Sequence, residues 1–244
     1  MRPLALIGDS HIGAMKRAFD GTPGMAGRRK VHFHPFGPGG EAATAFFALS
    51  DEGTSVTTRA ARWRNLTLDR DSFAGPTGQG AIIALSLPMN TSRVLRGFGW
   101  DRHVPWALRG EGDEIPLSDQ AVLRIIEQDC GPSVAFARAV ASLGLDVIVV
   151  EGPRFFAHAT YVGRLRREVC REIDRRYRAH VGEALELSGI PVLRQPERTI
   201  TPDGLTDEAF RHENPKDTHH ANADYGRLVM AALIALAAQL DAGG

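Results

Sequence analysis

Short apolar runs alternate with helically spaced apolar positions along most of the chain. Leu4–Ile7 is a run of four apolar residues closed by Gly8-Asp9, which predicts a short strand buried on both faces. A helix is expected over His11–Phe19. A second strand follows over Lys30–Phe36, ending in the cluster Gly37-Pro38-Gly39-Gly40 and a helix over Glu41–Leu49. Residues 51–78 are polar and irregular and predict no element. Ala81–Leu87 reads as a third strand covered on both faces. Helical spacing returns at Val122, Leu123, Ile125 and Ile126, and again over Val134–Leu143 after a break at Gly131-Pro132. Leu145–Val150 predicts a fourth strand, closed by Gly152-Pro153. Apolar residues from Val162 through Ile173 and Tyr177 to Leu185 mark a long amphipathic helix. Its arginines, from Arg164 to Arg178, mix with Glu168, Glu172 and Asp174 as on a solvated face with i,i+4 pairs. Ile190–Leu193 is a last strand and Ala221–Leu240 a last helix.

Apolar strands separated by helices indicate a mainly parallel sheet with helices on both faces. The expected architecture is a flavodoxin-like, single-domain three-layer α/β/α sandwich spanning residues 1–244. Residues 91–116 interrupt the alternation with four glycines and two tryptophans, and predict a lid or substrate-loop insertion.

Composition narrows the classes. The 244 residues are 24% charged and 43% hydrophobic, as in ordinary globular proteins. Lys+Arg and Asp+Glu both total 29, so nothing in the balance asks for nucleic acid or an anionic membrane as partner. Two cysteines, Cys130 and Cys170, supply neither a disulfide framework nor a four-cysteine zinc module, and are expected to be reduced thiols. The N-terminal residues lack the pattern of a secretory signal, and no uninterrupted apolar run approaches the ~18 residues of a spanning helix. Leu228–Leu240 is alanine-rich and expected to be a core helix. A cytoplasmic location without membrane contact is the expectation.

In open α/β sheets ligands bind outside the carboxyl ends of the strands, so the residues following each strand carry the chemistry. After strand one come Asp9-Ser10-His11, after strand two the glycines, and after strand three Pro88-Met89-Asn90. Asp217-Thr218-His219-His220 precedes the last helix. A hydroxyl, glycine amides, a carboxamide and an Asp/His pair on one rim are the parts acyl transfer needs. Serine is a weak nucleophile until an imidazole takes its proton, and a carboxylate sets the tautomer of that imidazole. Preorganised N–H groups then stabilise the oxyanion. Ser10, at a strand-to-helix turn, has its own N–H and a helix N-terminus at hand.

Gly8-Asp9-Ser10 at the end of the first strand resembles the first block of the SGNH, or GDSL-type, serine hydrolases. Asp217-Thr218-His219-His220 resembles their last block, an aspartate followed three residues later by the histidine. The resemblance spans the chain and implies an esterase without cofactor or metal, with Ser10 as nucleophile, His220 as base and Asp217 as its orienter. It further implies oxyanion donors at Ser10 and Gly40, with Gly39 adjacent, and at Asn90. The family's third block is usually Gly-x-Asn-Asp, whereas Pro88-Met89-Asn90-Thr91 retains only the asparagine. The implied substrate is a carboxylic ester of a small molecule or carbohydrate, with acetyl as one acyl group. An acyltransferase with the same triad, or a non-catalytic carbohydrate- or partner-binding module, is the alternative.

Other residues have two readings. Ser10 would also serve as a helix cap, and Asp9 is expected to hold the turn through side-chain-to-backbone bonds. His219 competes with His220 for the base role, with spacing from Asp217 favouring His220. Metal ligation by His219, His220 and Asp224 is disfavoured, because adjacent histidines rarely converge on one ion. Asn90 either caps a turn or faces the oxyanion. His11 is expected to leave the turn away from Ser10, as pocket lining or helix surface. Trp100 and Trp106, with Phe98, form either a substrate platform or anchors for the long loop. His32 and His34 are expected to be structural.

Overall fold

The computed structural model describes residues 1–27, 29–35, 37, 39–59, 65–75, 80–87 and 89–243. Phe36, Pro38 and Pro88, named above at strand ends, lie outside the described residues. In chain order the elements are β1 (Leu4–Gly8), α1 (Ile12–Asp20), β2 (Val31–Pro35), β3 (Phe47–Leu49), β4 (Ser55–Thr58), β5 (Thr67–Asp69) and β6 (Ile82–Ser86). There follow α2 (Ser92–Gly97), β7 (His103–Pro105), β8 (Ile115–Leu117), α3 (Asp119–Ser142), β9 (Val147–Val150), α4 (Arg167–Glu186), β10 (Val192–Leu193) and α5 (Ala223–Gly243).

The main sheet has the order β10-β9-β6-β1-β2, with every pair parallel. Alternation along its strands builds the two faces. Ala5, Ile7, Ile83, Leu85, Val147 and Val149 meet α3 and α4 on one side. Leu4, Leu6, Ile82, Ala84, Ile148 and Val150 meet α1 and α5 on the other. Both faces are covered, which is why the strands read as continuous apolar runs. The protein is thus α/β with a mainly parallel sheet between helical layers. α1 and α5 pack closely enough that a Cβ on Gly226 would lie 2.1 Å from the Ala14 carbonyl oxygen. Their contact therefore depends on that glycine. Ala223–Ala242 is, by length and a mean hydropathy of 1.3, apolar enough to cross a membrane. Here Val229, Met230, Leu233 and Ala237 of α5 bury against the sheet.

Three local expectations are corrected. Glu41–Leu49 is not a helix: a 3₁₀ turn over Gly39–Ala43 leads into β3. Phe46 and Phe47 turn towards Phe136 of α3, with ring centroids 5.1 and 5.4 Å away. Residues 51–78 are not wholly irregular, since β4 and β5 join β3 in an antiparallel sheet. Each of these two strands puts one fully buried aliphatic residue, Val56 or Leu68, into the core, too weak a period to read from sequence. α3 runs unbroken through Pro132. Its neighbours Cys130, Ser133 and Val134 are all buried, so packing outweighs the hydrogen bond that proline forfeits.

The long helix α4 is also less solvated than its charges suggest. Asp174 and Arg178 are 2% and 3% exposed. Arg178 Nε donates to Asp174 Oδ2 at 2.9 Å, and its Nη1 lies 3.2 Å from Glu151 Oε1 at the end of β9. Thr91 Oγ1 donates to Asp174 Oδ1 at 2.6 Å, tying the start of α2 to this buried group. Residues 91–116, expected to be a lid or substrate-loop insertion, hold α2 and the small parallel pair β7-β8.

Candidate active site

β1 delivers its last residues to the carboxyl edge of the sheet. Gly8 has no room for a side chain, because a Cβ there would stand 2.4 Å from the Ser86 carbonyl of β6. The chain then turns into α1. Asp9 is 2% exposed and its Oδ1 accepts the His11 amide at 2.9 Å, which closes the turn and leaves Ser10 exposed at its apex. Burial pushes the Asp9 carboxyl up to about 6, against the lowering effects of the His11 amide, His220, Asn90 and Arg93.

The far end of the chain returns to this turn ahead of α5. Asp217 Oδ1 accepts the amides of His219 and His220 at 3.3 and 3.1 Å, so one carboxylate oxygen shapes the backbone. Its Oδ2 lies 2.8 Å from His220 Nδ1, and His220 Nε2 lies 2.7 Å from Ser10 Oγ. Carboxylate, imidazole and hydroxyl therefore form one continuous hydrogen-bonded chain. Burial opposes the Asp217 charge, but the His220 ring and the two amides outweigh it and hold the carboxyl down to about 2. Burial, followed by the charge of His11, lowers the His220 pKa against the pull of Asp217. A neutral imidazole with Nδ1–H on a carboxylate and Nε2 facing a hydroxyl is arranged to accept a proton.

His219 does not occupy that position. Its Nδ1 is 3.5 Å from Asp217 Oδ1, and burial lowers its pKa to about 4. Asp217, His219 and His220 bring one donor atom each within 4.8 Å of one another, as a metal site would. Both ring nitrogens of His220 are already engaged in the chain, and Asp224 instead pairs with Arg227 at 2.8 Å.

A cavity of about 240 Å³ opens at Ser10, with Gly39, Gly40, Asn90, Arg93 and Arg96 among its walls. Gly39 is required sterically, since a Cβ would come within 2.6 Å of Asp9 Oδ2; Gly40 faces open space. Arg93 Nη1 donates to the Gly39 carbonyl at 2.7 Å while its Nε grips Asp129 at 2.6 Å. This arginine, not singled out from sequence, pins the glycine turn beside Ser10. Its position just after the third strand of the parallel sheet was the available signal.

The structure also places the residues around the turn. His11 takes the pocket-lining place of its two expected ones: it borders the Ser10 cavity with its ring centroid 4.9 Å from that of His220. It is buried, and desolvation followed by the charge of His219 lowers its pKa to about 3. Asn90 Oδ1 accepts the Ser92 amide at 3.1 Å, and its Nδ2 lies 2.5 Å from His11 Nε2. One amide hydrogen is thus engaged, and Asn90 both caps the turn and lines the cavity beside Ser10, the two places its sequence readings gave it. Trp100 is 2% exposed with its indole N–H on the Val94 carbonyl at 2.9 Å, so it anchors the segment, and it does not border the Ser10 cavity. Trp106 is 53% exposed and lies against Arg109, and among the described residues it does not border the Ser10 cavity. His32 and His34 contact Phe73 at the edge strand β2.

No protein-family model and no curated protein matches the chain. Solved structures do. A protein described as an acylhydrolase from Bacteroides fragilis superposes with a TM-score of 0.53 at 11% identity, over 98% of this chain and 87% of its own. A GDSL-like lipase from Bacteroides thetaiotaomicron gives 0.52 at 13% identity, over 98% of this chain and 88% of its own. The chain therefore has the fold of GDSL-like hydrolases, as its terminal blocks suggested.

Proposed function

We propose that the protein is a serine esterase that cleaves carboxylic esters through a covalent acyl-enzyme. The observation that carries this reading is the chain from Ser10 Oγ through His220 to Asp217, with links of 2.7 and 2.8 Å. The shared fold supports the same class of chemistry. Ser10 Oγ attacks the ester carbonyl as His220 Nε2 takes its proton. Asp217 holds the ring and stabilises the imidazolium. The oxyanion forms beside the Ser10 turn and the Gly39-Gly40 turn, whose backbone N–H groups are the donors of this proposal. His220 returns the proton to the leaving alcohol, the acyl group remains on Ser10, and water repeats the sequence to release the acid. The cavity of about 240 Å³ suits a small acyl group such as acetyl.

Hydrolysis of p-nitrophenyl acetate by the purified protein and by Ser10→Ala tests the proposal. Turnover that disappears in Ser10→Ala is the expected result. Equal rates in the two proteins, or none in folded native protein, would reject it.

A further inference from the structure

Two arginines lie three residues apart on α2, near one another on the helix surface. Arg93 is consumed by the fold, through Asp129 and the Gly39 carbonyl. Arg96 is not. Its Nε donates to the Ser92 carbonyl at 2.9 Å and its Nη2 weakly to Ser92 Oγ at 3.4 Å. Among the described residues no carboxylate comes within 4.0 Å of it, and Nη1 has no hydrogen-bond partner.

This unpaired guanidinium stands between two cavities. One is the cavity at Ser10. The other, about 300 Å³, has Leu95, Trp100, Tyr161 and Leu165 as apolar walls, with Thr160 and Arg164 beside them. Arg96 borders both cavities and lies over the Tyr161 ring of the second, 5.9 Å from its centroid. Arg164 likewise has no carboxylate within 4.0 Å among the described residues. Asp101 is the acid on this wall, so two cations face one anion. A cation left unpaired at a cavity mouth keeps its donors ready for a ligand, and the guanidinium fork matches oxyanions.

We propose that this second cavity is a subsite for an anionic oxygen group, carboxylate or phosphate, on the alcohol portion of the ester, held by Arg96 with support from Arg164. The assignment rests on the esterase reading for its orientation: the acyl group fills the small cavity at Ser10, and the alcohol extends past Arg96. The apolar walls then contact the carbon skeleton between ester and anion.

Binding separates this proposal from the esterase reading, because it needs no turnover. The full chain carrying Ser10→Ala is titrated calorimetrically with 4-acetoxybenzoate, 4-acetoxyphenyl phosphate and neutral 4-acetoxybenzamide. At least one anion should bind roughly tenfold tighter than the amide, and Ser10→Ala/Arg96→Gln should lose that preference. Arg164→Gln in the same background should reduce it by a smaller factor. Whichever anion is preferred identifies the group. Equal affinities for all three probes, no binding of either anion at millimolar concentration, or a preference that survives Arg96→Gln would overturn the subsite. Arg96 is exposed, so its variant is expected to fold, and an unchanged thermal melt verifies it. If the native protein leaves p-nitrophenyl acetate intact yet the anion preference appears, the esterase reading fails and the anion site stands.

Discussion

Two chains of charged and polar side chains sit near the carboxyl edge of the sheet, and they differ in what each leaves open. In the first, Ser10, His220 and Asp217 are joined end to end, with Ser10 exposed and His220 and Asp217 only partly covered. In the second, Thr91, Asp174, Arg178 and Glu151 are all nearly closed to solvent. Arg178 carries its charge against the cost of burial because Asp174 and Glu151 raise its pKa above the ordinary value. The buried group fixes geometry: it ties α4 and the end of β9 to the start of α2, beside the Ser10 cavity. The open group ends in a hydroxyl and an imidazole able to exchange a proton with a ligand. Similar hydrogen-bonding chemistry serves as a brace when closed to solvent and, in the proposed esterase, as the reactive centre when open.

Breaking each group should therefore give opposite phenotypes. Ser10→Ala should lower esterase kcat by about 10⁴-fold or more while moving Tm little, read by p-nitrophenyl acetate kinetics and calorimetry. Arg178→Met should do the reverse. It removes the buried partner of two buried carboxylates, leaving Asp174 to Arg154 at 3.1 Å and Glu151 to Arg194 at 3.7 Å, and a loss of about 3 kcal/mol in urea unfolding is expected. A Ser10→Ala protein that melts far lower, or an Arg178→Met protein of native stability, would erase the distinction.

The glycine turn sharpens the boundary between the two regions, because Arg93 braces it from the buried side. Gly39→Ala forces a Cβ against Asp9 Oδ2 and should displace the donors beside Ser10. A fall of about 10²-fold in kcat with little change in KM is expected from steady-state kinetics. Gly40→Ala meets no neighbouring atom and should cost less unless the methyl obstructs substrate.

The smallest effect is on pH. His11 and His219 have folded pKa values lowered to about 3 and about 4, below the ordinary ~6.5 of the unfolded chain. Between those values the unfolded state binds protons that the folded state refuses, so stability falls as pH drops below about 6.5. Asp9, raised to about 6, acts in the opposite direction from about 6 down to its unfolded value of ~3.9 and offsets one histidine. Unfolding free energy should thus fall by about 1–2 kcal/mol from pH 7 to pH 5, less in His11→Gln. Activity should reach its plateau by neutral pH, because the lowered pKa of His220 leaves its ring neutral there. A plateau reached only well above pH 7 would contradict that direction.

The parallel sheet was legible because β1, β6 and β9 are buried on both faces and so are apolar throughout. The β3-β4-β5 sheet was not, since one buried aliphatic residue in β4 and one in β5 leave no period. The triad candidates were legible through the resemblance of the two terminal motifs to those of the SGNH hydrolases, and the geometry sets Ser10 against His220 rather than His219. Asn90 and His11 each kept two readings in sequence because their roles depend on each other: the amide of one meets the ring of the other. Arg93 and Arg96 look alike in sequence. Only Asp129, from a helix distant in the chain, separates the brace from the unpaired cation.

The central claim is that His220 activates Ser10. Intact-mass spectrometry after brief exposure to a fluorophosphonate tests it most directly, in native protein, Ser10→Ala and His220→Ala. The account predicts a single adduct on native protein, located at Ser10 by peptide mapping, and its absence from both variants. Folded native protein that stays unlabelled, or a His220→Ala protein labelled as fast as native, would contradict it.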